Sequence, residues 1–197
     1  PPCDYDFSTN GHWFGNYPGI TGAPAVVASQ DGGGDFTYTS DMQDNSAGTW
    51  MEQIYDVAVS PEDDSIHNVA VAGYANVGTC FDGTTSIGTV YRLEAGTWLS
   101  ASWSDTSTYD GWDNGLTDPV NLPSECVIAV DFSTNYDLDQ AVVCMSTVDI
   151  FNDPLPYLQE GVWDSNKWND QAGFSEAVKI TNEGEELWTL YGMRMQG

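Results

Sequence analysis

The chain has 197 residues, 41% of them apolar, with 8 Trp, 10 Tyr and 7 Phe. That is enough for one domain with a sizeable core, and too aromatic for a disordered acidic tail. Thirty Asp and Glu stand against four Lys and Arg, a formal net charge of −26. This leaves no basic face for nucleic acid and disfavours an anionic membrane surface.

The first unit covers about residues 1–50. Asp4–Phe7 reads as a strand, followed by a Gly/Asn/Pro-rich insertion, Gly11–Gly22. Ala25–Ser29 is the second strand, Gly32–Gly34 a turn, and Asp35–Thr39 a third strand. Asn45–Trp50 is a turn that delivers Trp50 into a fourth. The second unit runs from 51 to 124. Val57–Val59 and Val69–Ala72 pair across the turn Ser60–His67. A loop with Cys80 leads to Gly88–Leu93, a turn at Glu94–Gly96, and Thr97–Ser102. The third unit, 125–173, takes Val127–Phe132, Ala141–Ser146, a loop at Asn152–Tyr157, Gly161–Trp163 and Lys167–Trp168. Phe174–Ile180 opens a partial fourth unit, 174–197, whose second strand is Leu187–Met193.

No sustained helical period occurs. The apolar runs are short, β-branched and punctuated by Gly, Asn, Asp and Pro. One apolar–polar turn–apolar hairpin recurs four times along a single repeat domain, 1–197. The pattern predicts an all-β fold: a β-propeller-like array of four-stranded antiparallel blades, about three and a half units. The alternative is a β-sandwich. No run of 18 apolar residues exists, so no membrane insertion by a helix is expected.

The cysteines are even in number and lack metal-ligand spacing, so they point to disulfides in an oxidising compartment. Cys126 and Cys144 are equidistant from Asn135, which in a hairpin places them opposite each other. Cys3 and Cys80 are what remains. The Pro-Pro start suggests a trimmed product whose targeting signal is gone.

The stretches VAVSPEDDSIHNVAVA and IAVDFSTNYDLDQAVVC resemble the hairpin of sialidase-like, Asp-box β-propeller repeat proteins, a group that includes secreted bacterial ones. Gly88–Trp98 resembles their third strand, tight turn and Trp-bearing fourth strand. Trp50 and Trp168 look like the same element, which implies packing between blades. The box itself is degenerate. Tyr91, Leu93 and Ala95 stand at its Ser, Asp and Gly positions before Trp98, and Asn45 and Ala47 stand at the Asp and Gly positions before Trp50. Sialidase activity does not carry over, because it needs a cluster of arginines and this chain has only Arg92 and Arg194.

Other catalytic constellations are also weak. Any of the many acids could form a glycosidase pair, so such a pair has little meaning. His12 reads as a loop contact and His67 as a surface turn residue, and no Gly-x-Ser-x-Gly elbow occurs. Calcium is the best-motivated ligand, with no organic cofactor implied. Three turns offer closely spaced oxygens: Asp63 and Asp64, Asp110 and Asp113, and Asp137 and Asp139. The loop aromatics Trp13, Tyr17, Trp103, Tyr109 and Trp112 could stack on glycans or bury themselves under their loops.

These features favour a non-enzymatic, secreted structural or assembly protein at the cell surface: a surface-layer, filament or sheath subunit, or an adhesion module. It would be stabilised by calcium and partnered by copies of itself or by other chains of the assembly. The runner-up is a secreted carbohydrate-binding or carbohydrate-cleaving protein.

Overall fold

The computed structural model describes residues 5–7, 13–18, 24–29, 34–39, 42–44, 49–64, 66–75, 87–95, 102–116, 123–148 and 155–180. Within them the chain forms three antiparallel meanders. The first sheet joins β1 (Tyr5–Phe7), β2 (Trp13–Pro18), β3 (Pro24–Ser29) and β4 (Thr37–Tyr38) in chain order. The second joins β5 (Gln43–Asp44), β6 (Thr49–Val59), β7 (Asn68–Ala75), β8 (Ile87–Glu94) and β9 (Ser104–Asp105), also in order. The third joins β10 (Cys126–Phe132), β11 (Ala141–Val148), β12 (Leu155–Val162) and β13 (Lys167–Trp168), with β14 (Val178–Lys179) pairing β12. The helical elements among the described residues are a 3-10 turn at Thr106–Thr108 and one turn, α1 (Tyr136–Asp139). The all-β expectation holds.

The core lies on both sides of the second sheet, and β7 explains why. Its sequence, NVAVAGYA, is apolar without alternation, and all eight residues are buried. A strand covered on both faces needs no polar side. Val69, Val71 and Ala75 join Val26 and Ala28 of β3 in one cluster. Ala70 and Ala72 point the other way, into a cluster with Val127, Val130 and Phe132 of β10 and Val142 of β11. Each fully buried Val contributes about 1.5–3 kcal/mol relative to exposure.

Two β-bulges make β6 serve both faces. They fall between Met51 and Gln53 and between Ile54 and Asp56. Each extra residue shifts the alternation by one. Met51, Ile54 and Val57, spaced by three, therefore share one cluster. Asp56, opposite Ala72, turns toward the third sheet. There its Oδ2 accepts the Val130 backbone N–H at 2.9 Å.

The β6–β7 and β10–β11 hairpins are closely alike, as their sequences predict. Ser60 N donates to Asn68 O at 2.8 Å, and Ser133 N donates to Ala141 O at 2.9 Å, so both turns span the same length. Gln140 Nε2 donates to Asp63 Oδ2 at 2.7 Å and ties the two tips together. Farther along, β10 crosses the start of β8 at Gly88, whose N–H donates to Ser124 O at 2.8 Å. A Cβ on Gly88 would lie 2.7 Å from Cys126 N, so only glycine permits the crossing.

Several expectations are corrected. The insertion after Asp4–Phe7 contains a strand: β1 pairs with β2, and β2 with β3. Val178–Lys179, expected at the opening of a fourth unit, pairs with β12 in the third sheet. The fourth-unit strand Leu187–Met193 lies outside the described residues. Cys126 and Cys144 do not face each other. Cys126 pairs with Thr147 and Cys144 with Val130. The α1 turn sets Phe132 opposite Val142 and so moves the hairpin centre from Asn135 to Asp137. Cys126 is disulfide-bonded, whereas Cys144 is a free, buried thiol. Cys3 and Cys80 lie outside the described residues.

Candidate functional site

The loop at 109–116, which carries Tyr109, Asp110, Trp112 and Asp113, is fastened onto the third sheet. Gly111 adopts φ +81°, and a Cβ there would meet Trp168 O at 1.9 Å. This closeness lets Trp168 N donate to Asp110 O at 2.8 Å and Asn169 Nδ2 donate to Gly111 O at 3.0 Å. Ala177 N donates to Asn114 O at 2.7 Å, and Asn114 Nδ2 to Ser175 O at 2.9 Å.

Beneath that loop lies a buried polar centre. Asp113, with φ 59°, turns its carboxylate inward. Its Oδ2 accepts Ser124 N at 2.9 Å and Ser124 Oγ at 3.1 Å. Its Oδ1 accepts Gln159 Nε2 at 3.0 Å. Gln159, fully buried on β12, has all its amide valences used. Nε2 also donates to Ser146 Oγ at 3.0 Å, while Oε1 accepts Asp113 N at 3.0 Å and Asn169 Nδ2 at 2.9 Å. The Asp113 N–H fixes which end of the amide is oxygen. Burial pushes the Asp113 carboxyl above its ordinary pKa, although the bonds from Ser124 and Gln159 oppose this. Burial, with the Asp113 charge nearby, pushes the Cys144 thiol well up.

A second centre joins the middle and third sheets. Arg92 lies 4.9 Å from the centroid of the Trp163 ring. Its Nε donates to Asn68 Oδ1 at 3.0 Å and its Nη1 to Trp163 O at 3.2 Å. Phe132, Tyr136 and Trp163 pack edge to face around it, with centroids 4.9–6.4 Å apart.

The candidate calcium residues are dispersed. Asp63 binds Gln140, Asp113 is committed to the buried centre, and Asp139 accepts Ser133 Oγ at 2.6 Å and Ala141 N at 2.9 Å. Asp64 takes φ 47° in its turn, Asp110 uses its backbone carbonyl, and Asp137 sits in α1. Among the described residues no three His, Cys, Asp or Glu side chains are grouped to hold a metal ion.

The candidate glycan residues are mostly internal. Trp103 is 2% exposed in the core beside β7. Trp112 meets Trp168 edge to face at 4.8 Å, and Tyr109 packs on the same cluster. The side chains of Trp13 and Tyr17, and His12, Trp98 and Arg194, lie outside the described residues.

His67 is a correction: it is 3% exposed, its Nδ1 lies 2.8 Å from Ser60 O, and Glu62 is 3.9 Å from its Nε2. A buried turn carbonyl needs a partner, and the ring supplies it. Trp50 and Trp168 are not equivalent. Trp168 is fully buried on β13, whereas Trp50 begins β6 and is 40% exposed.

Gln159, Ser146, Ser124 and Asn169 escaped the reading of the sequence. One signal was present: Tyr157, Gln159, Gly161 and Trp163 alternate, and this places the glutamine among inward positions. Compared with family models, curated proteins and solved structures, the chain matches none.

Proposed function

We propose that the three meanders are blades of a propeller-like array and that the chain is a non-catalytic module of an extracellular, cell-surface assembly. The observation that carries this reading is the second sheet, which is covered on one face by residues of the first sheet and on the other by residues of the third. Sheets that stack in chain order can be continued by a further sheet of the same kind, from this chain or from a neighbour. The internal roles of Trp103, Tyr109, Trp112 and Asp113 favour assembly over glycan stacking or acid catalysis.

Calcium enters as a bridge between copies. Within the described residues the acidic side chains do not converge in threes, so a shared ion would draw its oxygens from two chains. It would also relieve the repulsion of a net charge of −26. Light scattering across protein concentration, in millimolar calcium and then in chelator, tests the proposal. Large particles that dissolve on chelation are expected. A monomer under every condition overturns it.

A further inference from the structure

Cys126 is disulfide-bonded and Cys144 is a free, buried thiol. The chain has four cysteines, so the partner of Cys126 is Cys3 or Cys80. The surroundings of Cys126 separate the two. It begins β10 and packs with Tyr74 of β7, Tyr55 of β6 and Ile128. Ala75, the last residue of β7, pairs with Ile87, the first of β8. Beside Ile87, the Gly88 N–H donates to Ser124 O at 2.8 Å, and a Cβ on Gly88 would lie 3.0 Å from Cys126 Cα. The 76–86 connection therefore leaves β7 and rejoins β8 next to Cys126. Cys80 follows Ala75 by five residues, a reach of about 17 Å. Both ends of its connection are fixed near Cys126, which keeps its effective concentration there high.

Cys3 has the harder path. It precedes Tyr5 of β1 by two residues, a reach of about 7 Å. β1 belongs to the first sheet, which covers the face of the second sheet opposite the one that meets β10. Stacked sheets lie about 10 Å apart, so the first and third are about 20 Å apart across the second. A disulfide spans at most about 7 Å between Cα atoms, and the two reaches together fall short.

We propose that Cys80 and Cys126 form the disulfide, a covalent clasp between the β7–β8 connection and the start of β10. The two thiols give up two protons and two electrons as the S–S bond forms, and a small-molecule disulfide accepts them and leaves as two thiols. The clasp has a counterpart. Gln140 and Asp63 tie the hairpin tips of the second and third sheets at one end, and the disulfide ties the end where β7 stops and β10 begins. The two sheets are then held at both ends of their contact, and Cys3 is left without a cysteine partner in the chain.

The test is peptide mapping of the full chain, folded with oxidised glutathione, alkylated with iodoacetamide in denaturant without reductant, and cut with chymotrypsin. The expected product is a pair of peptides, one with Cys80 and one with Cys126, that separates only on reduction. A link from Cys126 to Cys3, a Cys3–Cys80 link, or alkylation of Cys126 overturns the proposal. Thermal melts give a second readout. Reductant should lower the Tm of the parent chain and of Cys3→Ser. Cys80→Ser should melt at the temperature of the reduced parent and ignore reductant. A reductant response that survives in Cys80→Ser, or is lost in Cys3→Ser, also overturns it.

Discussion

The Asp56 carboxylate accepts the backbone N–H of Val130 at 2.9 Å, and this bond joins a bulge of β6 to β10. The N–H belongs to the strand at the end of the third sheet, so that sheet does not satisfy it. Asp56→Ala should destabilise the fold by about 1–3 kcal/mol, the cost of a buried donor left without its acceptor. Asp56→Asn keeps an oxygen in place and should cost less. Urea unfolding of the two variants distinguishes them, and equal losses would contradict the assignment.

Arg92 should tolerate neither Lys nor Met. Either change removes the Nε bond to Asn68, the bond to the Trp163 carbonyl and the planar contact with the Trp163 ring. The expected loss is about 1–3 kcal/mol. The exposed ion pair with Glu94 contributes little, so Glu94→Ala should stay within about 0.5 kcal/mol. Thermal melts of the three variants check both statements.

Gly111→Ala should be among the most damaging small changes in the chain. A Cβ there collides with Trp168 O, and φ is +81°. The strain should cost at least about 1–3 kcal/mol. Because the collision loosens the loop that carries Asp113, limited proteolysis should cut first near 109–116. Gly173→Ala is the comparison: φ is +95° there, but no atom lies within 4 Å, so it should cost less.

Asp113 gives a pH dependence of defined sign. Burial raises its folded pKa above its unfolded value, so the folded state holds this proton more tightly. Its contribution is fully present below the unfolded pKa, about 3.9, and is lost as pH rises through the folded value. The stability of Asp113→Asn relative to the parent chain should therefore improve as pH rises from acid toward neutrality. A difference that does not change with pH would contradict the burial of a carboxyl.

Cys144 should resist iodoacetamide in the folded chain and react once denatured, without any reductant. It is buried, its thiol pKa is pushed well up, and it is not bonded to Cys126. Peptide mapping before and after denaturation reads this directly.

The second and third sheets were legible because their strands are long apolar runs with turn residues between them. β2 was hidden, since WFGNYP carries Gly, Asn and Pro that read as a loop. The cysteine register was lost to the turn, where α1 sets Phe132 opposite Val142 and so Val130 opposite Cys144. His67 looked exposed because its neighbours are polar, yet tertiary packing buries it. The buried centre went unseen for a similar reason. Asp113 reads as a surface acid until Gln159, far along the chain, supplies its partner.

Electron microscopy of the purified chain in calcium tests the central claim most directly. Ordered arrays or closed rings built from repeated blade-like sheets are the expected result. Isolated single chains at every concentration would contradict it.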